Sequence, residues 1–184
     1  MKNQIIFTAL TLGAIVLGTN TVKAQTGTTT APISTAVNII LNDVISIDAG
    51  SVAIGGVVDF NYVTSEDYNN DKTATVANSL KVTSTQNFNV NVKAAGSNFS
   101  DGTNVIPVNV LRIQGATTGS MGGDRPVITL TDADQILVGN ADLGSALTLD
   151  INYTIPATEA SSSKILGKKA GKYTQNVTYT ATAL

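Results

Sequence analysis

Phe88-Asn89-Val90-Asn91-Val92-Lys93-Ala94 is the stretch that decides the fold. Apolar and polar residues alternate without a break. In an extended chain Phe88, Val90, Val92 and Ala94 therefore face one side, and Asn89, Asn91 and Lys93 the other. A helical period would scatter the same residues around a cylinder, so the pattern selects a half-buried strand. The same design recurs on both sides of it. Leu147, Leu149, Ile151, Tyr153 and Ile155 oppose Thr148, Asp150, Asn152 and Thr154. Tyr173, Val177, Tyr179, Ala181 and Ala183 oppose Thr174, Asn176, Thr178, Thr180 and Thr182. Val58, Phe60 and Tyr62 alternate with Asp59 and Asn61. Val37, Ile39, Leu41, Ile45 and Ile47 share a face that Asp43 interrupts. Less regular strands are expected over residues 73–84, 105–113 and 127–131.

Turn-forming clusters lie between these runs, at residues 49–56, 66–72, 95–103, 114–125 and 132–144. Nowhere does a helical period persist for three turns; residues 157–166, with Ala, Glu, Lys and Leu, suit one short helix. The expectation is an all-β fold: an antiparallel β-sandwich of about eight strands with Ig-like or jelly-roll connectivity. A closed outer-membrane barrel would need aromatic girdles at both interfaces, and nine aromatics with no Trp do not supply them. No repeat of solenoid length is present.

Composition narrows the function. The 184 residues are 42% hydrophobic and only 13% charged, with net charge −2. Thr, Asn, Ser and Gly take the place of the missing charge, as suits an extracellular β-protein. With no His and no Cys, a Ser-His-Asp triad, a Cys nucleophile, a zinc site of imidazole or thiolate and a disulfide framework are all excluded. Mild acidity and two Arg argue against nucleic acid. No cofactor site is read, and the expectation is a non-enzymatic protein.

Residues 1–24 read as a secretory signal: Lys2, then an apolar stretch over residues 5–17, then Val22-Lys23-Ala24 as a cleavage site. The apolar stretch is short for a membrane span, so no transmembrane anchor is expected after cleavage. Residues 25–35 form a Thr-rich polar leader, and residues 36–184 the sandwich domain. Localisation is expected to be extracellular or on the surface of a Gram-negative cell, with the periplasm as the alternative.

Five features of the sequence bear on chemistry. Asp67, Asn69 and Asp71 have the D-x-N-x-D spacing that begins a calcium loop, whose alternate oxygens turn inward. Lys72 and Asn78 stand where the loop's Gly and closing Glu belong, so a solvated turn is the plainer reading. Ser161 and Lys164 match S-x-x-K, without its companion motifs. Lys164, Lys168, Lys169 and Lys172 form a basic loop able to meet an anionic glycan or envelope polymer, or simply to stay solvated. Thr174, Thr178, Thr180 and Thr182 make a hydroxyl row of ordinary strand residues. Asn98, Asn152 and Asn176 begin glycosylation sequons by pattern alone. Separately, Val37, Ile39, Leu41, Ile45 and Ile47 follow directly on a polar leader. They form either the first strand of the sandwich or a strand donated to a neighbour's sheet.

The signal, the Thr-rich leader, residues 37–48 and the ending G-K-Y-T-Q-N-V-T-Y-T-A over residues 171–181 together resemble small exported β-sandwich proteins of Bacteroidetes. The ending is similar to the last strand of pilin-like and WxL-type surface domains. That resemblance implies a surface or fimbria-like, pilin- or adhesin-like role, with self-association through strand exchange. Its alternative is a monomeric module binding glycan or peptidoglycan. WxL domains carry Trp-x-Leu signatures and this chain has no Trp, so no wall-binding residue is carried over.

Overall fold

The computed structural model describes residues 33–184. The signal segment and residues 25–32 of the leader lie outside the described residues. The chain divides into a first unit, Met1–Ile39, and a second, Ile40–Leu184. Of the first unit, residues 33–39 are described; they form no strand or helix and are exposed.

The second unit is nearly all β. Its elements are β1 (Ile45–Ile47), α1 (Ser65–Asn69), β2 (Lys72–Ser84), β3 (Phe88–Ala94), β4 (Asn98–Ser100), β5 (Val105–Pro107) and β6 (Arg112–Gly115). They continue as β7 (Ile128–Thr129), β8 (Gln135–Ala141), β9 (Gly144–Ile155), α2 (Ala157–Ala160) and β10 (Val177–Ala183). All pairings are antiparallel. One sheet has the order β1-β2-β9-β6-β7, a second β10-β3-β8, and β4-β5 form a small separate hairpin. The result is sandwich-like, as the alternation requires: each sheet has one apolar face, and the faces bury each other.

β3 is the centre of the smaller sheet, between β10 and β8. Its four inward side chains are at most 2% exposed. Across from them lie Leu80 and Val82 of β2 and Leu149 and Ile151 of β9, all fully buried. Burying each of these aliphatic or aromatic side chains stabilises the fold by about 1.5–3 kcal/mol before entropy is counted.

Three departures from the sequence expectations have local causes. The first concerns β8, which lies inside the cluster 132–144 that reads as a turn. Leu137 and Val138 are adjacent yet both buried, because the register against β3 shifts between Val90 and Asn91. A bulge of this kind breaks the alternation that would have announced the strand. The second is that α2 stops at Ala160 rather than running to residue 166. The Ser161 hydroxyl donates to the Ala157 carbonyl and that of Ser162 to the Glu159 carbonyl, closing the turn with side chains. The third is that the apolar face from Val37 to Ile47 becomes strand only at Ile45–Ile47. Ile45 pairs with Ser84, the last residue of β2, and the Val44 amide donates to the Thr85 hydroxyl. Upstream of that point β2 offers nothing further to pair with.

Candidate functional site: an open cleft beside the last strand

β1 leads along β2, and the Val52 and Ala53 amides donate to the carbonyls of Asn78 and Ser79. There the two runs separate. Gly55 takes φ +71°, which a side chain would resist, and a Cβ on Gly56 would lie 2.4 Å from the Val52 carbonyl oxygen. β2 bulges at the same level: Asn78 sits at φ 50°, and its amide donates to Asp150 Oδ1 at 2.7 Å. The Thr118 hydroxyl first, and the Asn78 amide next, hold the Asp150 carboxyl below the usual carboxylate range.

Beyond the glycines, residues 57–63 run as an extended arm outside any ladder. Val58, Phe60 and Tyr62 are half-buried against the core, whereas Val57, Asp59, Asn61 and Val63 are exposed. The alternation read from the sequence is thus present, but no strand pairs with it. Residues 57–62 make no backbone–backbone hydrogen bond with the described residues. Such a run of unpaired peptide groups is unusual beside a core. The arm is pinned at its far end. Asp67 Oδ2 accepts from the Val63 and Thr64 amides, each at 2.8 Å, and Lys72 Nζ pairs with Asp67 Oδ1 at 2.5 Å and with the Asn61 carbonyl.

Facing the arm is β10. It pairs with β3 on one side and is the edge of its sheet on the other. Between arm and edge lies a cleft of about 940 Å³. Val76, Tyr153 and Ile155 of the opposite sheet contribute to its lining. Tyr153 and Tyr179 join the two sheets within this lining by a hydroxyl–hydroxyl hydrogen bond of 2.5 Å. Burial, and then Tyr153, push the Tyr179 phenol far above its ordinary acidity range. Two further polar atoms that belong to the lining, Tyr62 Oη and Ser79 Oγ, are buried without a hydrogen-bond partner. Burial first, then the Asp67 charge, push the Tyr62 phenol up to about 12.

The basic loop enters the same site. Lys168, Lys169 and Lys172 line the cleft at the end where β10 begins; they are exposed, and none forms a salt bridge with a described residue. Lys164 is separate from them, paired with Glu159 Oε2 at 2.7 Å. That pairing also occupies the amine of S-x-x-K, while the Ser161 hydroxyl is spent on the Ala157 carbonyl.

The acidic run does other work. Hydrogen bonds from Lys72, Thr64 and Val63 hold the Asp67 carboxyl well below the usual range, and Asp71 Oδ1 accepts from the Ala157 amide at 2.7 Å. Asn69 is exposed. Among the described residues no three His, Cys, Asp or Glu converge as a metal site. No described helix is long and apolar enough to cross a membrane. Thr178, Thr180 and Thr182 lie on the exposed side of β10, and Thr174 beside the β4 end, bridged to Ser100.

Of the proposed assembly strand, Ile45 and Ile47 pack on the core. Val37, Ile39 and Leu41 are 83%, 83% and 86% exposed. That the arm has no ladder among the described residues was not legible from sequence; the Gly55-Gly56 pair before it is a sign of the break. No protein-family model matches the chain, and no curated protein matches its sequence.

Proposed function

We propose that this chain is a secreted, non-enzymatic structural subunit of the cell surface, pilin- or adhesin-like, that joins copies of itself by strand exchange. One observation carries the reading. Among the described residues, the second unit holds a cleft between an arm without a ladder and the edge strand β10, and the same chain carries an exposed apolar segment, Val37, Ile39, Ile40 and Leu41, that forms no strand. Edge strands and exposed apolar runs are normally blunted or covered, because they invite pairing with another chain. Main-chain bonds would supply affinity and Val37, Ile39 and Leu41 the register, which is strand addition. The resemblance to small exported Bacteroidetes surface proteins agrees with this role.

The test is light scattering of the mature protein over a range of concentration, with electron microscopy of cells bearing an insertion tag at residues 114–125. Concentration-dependent oligomers and label in filaments are expected. A strictly monomeric protein with evenly spread label sinks the proposal.

The second reading, a monomeric module binding glycan or peptidoglycan, is favoured by Lys168, Lys169 and Lys172 standing with Tyr68 and Tyr173 along one cleft. Under it, an acidic glycan would bind the monomer, and truncation of residues 25–41 would leave that binding unchanged.

A further inference from the structure

All five tyrosines of the chain, Tyr62, Tyr68, Tyr153, Tyr173 and Tyr179, line the cleft. They come from the arm, α1, β9, the approach to β10 and β10 itself, so no local repeat gathers them. Tyr153 is buried and the other four are half-buried, with the Tyr62 and Tyr68 rings 4.9 Å apart between centroids. Tyr173 is tied to the lysine loop by its hydroxyl, which donates to the Lys169 carbonyl at 2.8 Å. A phenol offers a flat apolar face and a hydroxyl while losing little rotamer freedom, which is why tyrosine is favoured on binding surfaces.

The charge of the cleft is opposite in sign to that of the chain. Net charge is −2, yet Lys168, Lys169 and Lys172 stand in the lining against one acid, Asp59. The lysines and Tyr68 share an end of the cleft, because α1 packs beside α2 and the loop after α2 carries the lysines. An anion is therefore drawn to the end that offers it aromatic rings.

The buried hydroxyls discriminate among anions. Ser79 is fully buried, and neither its Oγ nor Tyr62 Oη has a partner among the described residues. An acyl chain would bring only methylenes to them and leave both unsatisfied. A sugar brings hydroxyls for such groups and C–H faces for the rings, and a uronic acid adds a carboxylate to each ring. The cleft volume of about 940 Å³ lies near the top of the range of about 300–1,000 Å³ usual for ligand sites, with room for more than one ring.

Resting on the second reading above, the glycan-binding module, we infer that the ligand is an oligosaccharide of uronic acids. Its carboxylates meet Lys168, Lys169 and Lys172, its rings lie against Tyr68 and Tyr173, and its hydroxyls turn toward Tyr62 Oη and Ser79 Oγ. Exposed ion pairs alone are weak and screened by salt, so the aromatic contacts must supply the rest of the affinity.

Calorimetric titration of the monomeric mature protein decides it. The probes are short oligosaccharides of glucuronate, galacturonate, mannuronate and guluronate, each beside the same chain with its carboxylates reduced to alcohols. At least one uronate should bind on the order of tenfold or more tighter than its reduced counterpart. Lys168→Gln, Lys169→Gln and Lys172→Gln together should remove that advantage, whereas Tyr68→Ala should weaken the uronate and its reduced form alike. All four positions lie outside the strands, and circular dichroism checks that the sandwich is retained. Equal binding of a uronate and its reduced form overturns the acidic ligand and leaves a glycan-binding module standing. Selective binding that survives both sets of substitutions overturns the cleft as its site. Polyglutamate bound as tightly as the uronate would reveal charge attraction alone, and overturns the inference too. If none of the chains binds, acidic or reduced, the glycan-binding reading itself fails.

Discussion

β3 and residues 58–62 of the arm carry the same message in sequence, an alternation of apolar and polar residues, and meet different fates. β3 has a strand on each side, and its inward side chains are sealed. The arm turns Val58, Phe60 and Tyr62 toward the same core, yet they stay half-buried and its peptide groups find no ladder among the described residues. Alternation is a statement about faces, set by the pleat of one chain. A ladder needs a second chain segment at the right distance, which the pleat does not provide.

The largest expected contrast is in the core. Val90→Asp should cost several kcal/mol, since a carboxylate would replace a fully buried side chain with no partner. Phe88→Ala should cost about 3–5 kcal/mol, but Phe60→Ala only about 1–2 kcal/mol, because the arm's ring is already partly wet. Urea unfolding of the monomer measures all three. Equal losses at Phe88 and Phe60 would erase the distinction between the two regions.

Hydrogen exchange sharpens it further. Amides of β3 should exchange slower than those of residues 57–62 by on the order of a thousandfold or more in the monomer. Assembly should narrow that gap by protecting the arm. An arm already as protected as β3 in the monomer would mean that it is paired within its own subunit.

The arm should also be the alkali-sensitive region. Tyr62 has its folded-state pKa raised to about 12 against an ordinary value of 10.0. Its contribution is fully present below pH 10 and is lost as the pH rises through about 12. Ultraviolet absorbance of tyrosinate, compared with that of Tyr62→Phe, should show one late-titrating phenol disappear. A Tyr62 signal at the ordinary pKa would place its ring in water.

The smallest effect belongs to the polar side of β3. Asn91→Asp should change stability by no more than about 0.5 kcal/mol, as surface changes generally do. A loss matching that of Val90→Asp would put the strand in the wrong register.

Much of the sandwich was legible because burial follows the two-residue period wherever a strand is regular. β3, β9 and β10 were each readable from their alternating side chains. β8 was not, since its bulge puts Leu137 and Val138 inside together. α1 hid in an acidic turn, where Asp67 serves its start and the arm at once.

The sequence by itself determined the class of the fold, the faces of its regular strands and the chemistries closed to it, because these depend on the residue types and their spacing along one chain. Tertiary structure decided which alternating segments obtained neighbours. β2 ends at Ser84, and residues 33–43 have no ladder partner among the described residues. The glycines and the bulge at Asn78 lead the arm away from β2, and β10 closes only one of its two edges. Pairing depends on where distant segments end in space, and no local spacing encodes that.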